Sequence, residues 1–141
     1  MMRYVLVVVA TIFAAPAVAS ECDALVAQVI ERSGAVVVKF PTENEATLRD
    51  GDIKIDLGCK GRTLNVEAPT PFPPSRFFTL AGQLGGLLTG APVAAVEATA
   101  RKCQQHAMKA RGRAAEEMPK AYVDCVFVRG AAAYVLILPR R

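Results

Sequence analysis

The sequence predicts an α+β domain: an antiparallel sheet of about five strands, in the order α-βββ-αα-ββ, packed by helices and held by two disulfides. Three observations carry this expectation. Residues 52–57 alternate Asp52, Lys54 and Asp56 with Ile53, Ile55 and Leu57, the period of a strand with one buried face and one wet face. Leu25, Val26, Val29 and Ile30 fall at helical spacing. Four cysteines, an even number in a chain with an export signal, read as two disulfides. Strand signals cluster in two blocks separated by helical ones, which favours a segregated α+β arrangement over βαβ units.

The first segment stands apart from the domain. MMRYVLVVVATIFAAPAVAS has one positive charge at Arg3, an apolar run from Tyr4 to Ala15, and small residues at Ala17 and Ala19. This is the pattern of a secretory signal peptide over residues 1–19, cleaved after Ala19. It implies a periplasmic or secreted domain over residues 20–141. Cys22 lies near the cleavage site, but Glu21 precedes it, where a lipoprotein signal needs a small neutral residue. About 120 residues suffice for one core and are too few for two.

The domain opens with a helix over residues 22–33, stopped by Gly34. VVVKF, residues 36–40, is β-branched and reads as the first strand. A second strand emerges from Thr47 and runs through the alternation to Leu57. Gly58 to Gly61 turn the chain, and RTLNVEA repeats the pattern with Leu64 and Val66 inside. Four prolines in APTPFPP, residues 68–74, permit only a polyproline-like connector. Ser75 then reads as the cap of a helix.

Between Arg76 and Glu97 lie twenty residues without a charge, FFTLAGQLGGLLTGAPVAAV. That is the length of a membrane span. Four glycines, Pro92, Gln83 and two threonines weaken it on insertion scales, and Thr89-Gly90-Ala91-Pro92 looks like one helix ending and another beginning. A span would also put Cys103 and Cys125 in a reducing compartment. The opposing signals are a basic cluster after the segment and the G-x-x-x-G spacing of Gly82, Gly86 and Gly90. The segment reads as core, without a transmembrane span in the mature chain.

A helix from Pro92 to about Ala110 carries Val93, Val96, Ala100, Cys103 and Ala107 on one stripe, with Glu97 and Arg101 paired outside it. RGRAAEEMPK reads as a polar connection. AYVDCVFV and AAYVLIL form a hairpin around Arg129-Gly130. Both faces of that hairpin are apolar, unlike the second and third strands. The expected partner surface is Tyr122, Val126, Val128, Val135 and Ile137, covered either by the glycine-rich helix or by another molecule.

The disulfide pairing is open in principle. Cys103 and Cys125 retreat about 10 Å and 13 Å from the connection between their elements, so they can meet. This leaves Cys22 with Cys59, although a helix packed back along the first strand puts those two at opposite ends of the sheet. The alternative joins Cys22 to Cys125 and Cys59 to Cys103. The local pair is the expectation.

Little points to catalysis. His106 is the single histidine, with no Cys, Asp or Glu beside it in sequence. Asp50, Asp52 and Asp56 resemble part of a calcium loop, but Lys54 and Ile55 occupy the fifth and sixth positions, where a ligand and glycine belong. A turn at Asp50-Gly51 followed by a wet strand face is the simpler reading. No metal or cofactor is expected. The net charge of +4, one unit of it from Arg3, is too mild to suggest nucleic acid. Six positive residues between Arg101 and Lys120 read as a solubilising connector. The element order resembles that of small α/β chaperones of specialised secretion systems in topology alone; those are cytosolic and need no disulfides, so their role is not carried over. The sequence therefore implies an exported binding or structural domain acting through an apolar sheet face on a protein partner, an apolar ligand or a second copy. Its alternative is a small secreted enzyme whose site forms around His106 only in the fold.

Overall fold

Strand-forming and helix-forming stretches alternate in burial as a two-layer packing requires. The computed structural model describes residues 21–39 and 41–141; the expected signal peptide, residues 1–19, lies outside the described residues. Three helices, α1 (Glu21–Ser33), α2 (Ser75–Thr89) and α3 (Val93–Ala110), are found among them. The seven strands are β1 (Val36–Lys39), β2 (Glu45–Asp50), β3 (Ile53–Gly58), β4 (Thr63–Ala68), β5 (Arg113–Met118), β6 (Ala121–Val128) and β7 (Ala132–Pro139). They form one antiparallel sheet ordered β1-β2-β3-β4-β7-β6-β5. The expected α+β class holds, with seven strands in place of about five.

Two strands escaped the sequence reading for different reasons. The run from Thr47 to Leu57 is two strands, because Gly51 takes a positive φ of 60° and reverses the chain. RAAEEM is composed of good helix formers, yet it pairs along β6 from Arg113 opposite Val126 to Met118 opposite Ala121. Sheet pairing overrides propensity there.

The extra reversal at Gly51 also explains the disulfides. It returns the chain so that β3 ends beside the start of α1, and Cys22 joins Cys59 with their Cα atoms 5.2 Å apart. Cys103 joins Cys125 at 5.8 Å. All four cysteines are paired. The first bridge ties α1 to the β1–β4 half of the sheet, the second ties α3 to the β5–β7 half.

One face of the sheet is helix-covered. Leu48, Ile55, Leu64, Val66, Val123, Val135 and Ile137 line it and are completely buried, each contributing about 1.5–3 kcal/mol relative to exposure. The glycine-rich helix α2 packs on this inner face, against β4 and β7. A Cβ on Gly85 would come within 2.7 Å of Ile137 Cδ1 and 2.8 Å of Val96 Cγ1. Gly82 and Gly86 face α3 instead, where added Cβ atoms would lie 3.0 Å from the carbonyls of Val93 and Ala91. The G-x-x-x-G spacing thus serves helix contact inside this layer. Gly90 plays a separate part, capping α2 with φ 76°. The charge-free segment is accordingly split between α2 and the first turn of α3. No helix among the described residues is long and apolar enough to cross a membrane.

Helix ends are held by arginines that the sequence did not advertise. Arg62 donates from Nε to Leu88 O at 2.8 Å and from Nη2 to Leu87 O at 3.0 Å, satisfying carbonyls left open at the end of α2. Arg76 donates to Ser33 O at 2.7 Å and pairs with Asp50 at 2.5 Å. Ser75 does not cap α2; Pro74 holds that position without a side-chain hydrogen bond.

Candidate functional site

The outer face of the sheet has no helix over it. Its composition changes at the β4–β7 boundary, and register fixes the rows. Arg113, Val126, Tyr134, Glu67, Lys54 and Arg49 lie in one row across six strands. The next row reads Ala115, Asp124, Leu136, Asn65, Asp56 and Thr47. Glu117, Tyr122 and Leu138 form a third, shorter row. The β2–β4 half is polar. The β5–β7 half gathers Tyr122, Val126, Val128, Tyr134, Leu136 and Leu138, all exposed or half-buried.

Three of the five expected surface residues, Tyr122, Val126 and Val128, lie on this outer face. Val135 and Ile137 do not: they sit opposite Cys125 and Val123 and are completely buried under the helices. Loop length causes the difference. A two-residue turn at Arg129-Gly130 would put Tyr122 opposite Ile137. The loop has three residues, 129–131, so Val128 pairs with Ala132 and the second strand shifts by one. A shift of one residue exchanges the two faces. Tyr134, Leu136 and Leu138 take the outward places.

Charges around the apolar half are already neutralised within the chain. Arg113 forks onto Asp124, with Nε to Oδ1 at 2.9 Å, and this hydrogen-bonded pairing raises the Arg113 pKa. Arg140 lies 3.5 Å from Glu117 and over the Tyr122 ring. Tyr122 Oη donates to Glu117 at 2.9 Å, which holds the phenol above its ordinary pKa. On the polar half, Lys54 pairs with Asp56 at 3.3 Å, and Asp56 accepts from Thr47 at 2.8 Å.

His106 does acquire a partner that its sequence neighbours lack. Glu116 on β5 points inward toward α3, where its Oε1 lies 2.7 Å from His106 Nδ1 and its Oε2 lies 3.7 Å from Lys102 Nζ. No hydroxyl or thiol completes this pair among the described residues. The three aspartates tested as a calcium loop diverge: Asp50 binds Arg76, Asp56 binds Lys54, and no group of three metal-ligating side chains occurs among the described residues. The basic residues after Arg101 also separate. Arg101 pairs with Glu97 at 2.9 Å and stacks on Phe78, Lys102 meets Glu116, and Arg113 reaches the outer face.

A groove absent from the sequence reading runs beside the proline segment. Phe72, 67% exposed, divides it into two chambers that share Met108. The larger, about 510 Å³, lies between Pro71, Phe127 and the arginines at 111 and 129. The smaller, about 240 Å³, is lined by Pro73, Phe78 and Gln104. Gln104 is 2% exposed, and neither its Oε1 nor its Nε2 has a hydrogen-bond partner.

No protein-family model, curated protein or solved structure matches the chain. Two disulfides are the mark of an oxidising, extracytoplasmic environment.

Proposed function

We propose that the protein is an exported, non-enzymatic binding or structural module that self-associates through the β5–β7 half of its outer sheet face. The observation that carries this reading is the uncovered set of six apolar side chains on β6 and β7. Water contact at such a patch forgoes about 25 cal/mol per Å² of apolar area, and contiguous apolar patches of this kind mark interaction surfaces. A second copy is the favoured partner because the flanking ions are already paired within the chain. Two identical patches can therefore meet in a two-fold arrangement without charge conflict. The compartment is the periplasm or the medium, reached by cleavage after Ala19; an intact mass that includes residues 1–19 contradicts that part.

Light scattering of the purified mature domain tests association. A dimer is expected, with Val128→Asp monomeric and still folded. A monomeric native protein at high concentration contradicts self-association. The His106–Glu116 contact supports a second reading, a small hydrolytic enzyme, because an oriented imidazole is a general base. Turnover of chromogenic esters that His106→Ala abolishes would favour that reading over the first.

A further inference from the structure

The groove beside Phe72 carries an inference independent of the outer face. Buried side-chain amides nearly always have partners. Gln104 has none on either carboxamide atom, although it is 2% exposed and forms part of the wall of the smaller chamber. Its position is also unusual for its type. It follows Cys103 on α3 and lies one turn from Ala100 and Ala107, both completely buried. An apolar residue would pack there without an orphaned donor and acceptor.

We infer that the groove binds an extended peptide segment ending in a carboxylate, with Gln104 reading one peptide unit. A carboxamide presents one acceptor and one N–H donor edge, the complement of a peptide C=O and N–H. Phe78 and Met108 give the same chamber an apolar wall for the adjacent side chain. On the far side of Phe72, the larger chamber is lined by Arg111 and Arg129 and by no acidic residue. Neither arginine forms an ion pair among the described residues, in contrast to Arg101 and Arg113. Two of the four terminal carbonyls of α3, those of Met108 and Ala107, are occupied by the Arg111 and Gly112 amides. The negative end of the helix dipole still opposes an anion there, and the two guanidinium groups must outweigh it. Two unpaired guanidinium groups suit a terminal carboxylate. Both Gln104 carboxamide atoms are closed to solvent, so the peptide must move part of the chamber wall to reach them. Phe72, exposed between the two subsites and packed edge-on to Phe127 with ring centroids 6.1 Å apart, is the side chain it would displace.

The test uses the mature domain with both disulfides intact and three probes: acetyl-trileucine as the free acid, the same peptide as its C-terminal amide, and decanoate. Nuclear magnetic resonance of the labelled domain follows the Gln104 side-chain amide. The free-acid peptide should shift those resonances saturably. Gln104→Met, which fills the same space without polar atoms, should remain folded and weaken the peptide about 10-fold. The amide-capped peptide should bind about 10-fold more weakly than the acid. Arg129→Gln, an exposed turn substitution, should narrow that difference. Absence of saturable shifts at about 5 mM peptide, undiminished binding by Gln104→Met, or decanoate binding as tightly as the peptide would each overturn the assignment.

Discussion

The two halves of the outer sheet face share one backbone and differ in what they offer to water. The row that crosses from β2 to β6 passes from Arg49, Lys54 and Glu67 to Tyr134 and Val126 without a break in hydrogen-bonded register. Beneath both halves the inner face is apolar and packed by helices, and each half is tied to its helix by one disulfide. Stability of the monomer therefore gives no reason for β6 and β7 to be apolar outside. The contrast teaches that inner-face hydrophobicity builds the fold, while outer-face hydrophobicity on one half alone calls for another purpose.

The largest expected effect separates the faces. Ile137→Asp puts an unpaired carboxylate among completely buried side chains and should cost about 4 kcal/mol or more, enough to prevent folding. Tyr134→Asp on the neighbouring outer position should cost under about 1 kcal/mol. Thermal melts of the two variants decide it; equal destabilisation would erase the distinction between faces.

Next come the tethers under the two halves. Removing either disulfide by paired Cys→Ala substitution should cost about 2–4 kcal/mol. The Cys22–Cys59 bridge closes 37 residues and the other 22, so loop entropy makes the first loss larger by about 0.5 kcal/mol. Urea titrations with a common slope would measure the difference. Gly85→Ala should follow at about 1–3 kcal/mol, because its methyl group meets Ile137 and Val96 in a closed layer. A neutral Gly85→Ala would mean that α2 has room to lift from the sheet.

How much of this was legible in the sequence depends on which contacts set each feature. The alternation in β3 and β4 is local and reads correctly, and so does the stripe of α3 from Val96 to Ala107; Val93, expected on that stripe, is exposed in the first turn. Gly82 and Gly86 announced close packing, but only the fold shows that α3 is the object approached. β5 was hidden because Arg, Ala, Glu and Met favour helices in isolation, and its pairing with β6 is what makes it a strand. The misassigned faces of Val135 and Ile137 came down to one loop residue, Ala131. The groove was invisible because residues 71–73, 104–111 and 127–130 converge only in three dimensions. One signal existed: Gln104 interrupts the apolar side of α3 one turn from Ala100 and Ala107.

A smaller effect sharpens the comparison between halves. Asn65→Val extends the apolar patch across the β4–β7 boundary beside Leu136. It should change monomer stability by less than about 0.5 kcal/mol and strengthen association. Weakened association would show that the patch ends at β7 for a reason of fit.

The most direct measurement compares two positions in the same row, one from each half. Sedimentation equilibrium of the mature domain, Val126→Asp and Arg49→Asp would reveal whether association follows the apolar half. A dimer for the native protein and for Arg49→Asp, with Val126→Asp folded and monomeric, is the expected result. A dimer that survives Val126→Asp, or three monomers, would contradict the claim that this half of the face is a binding surface.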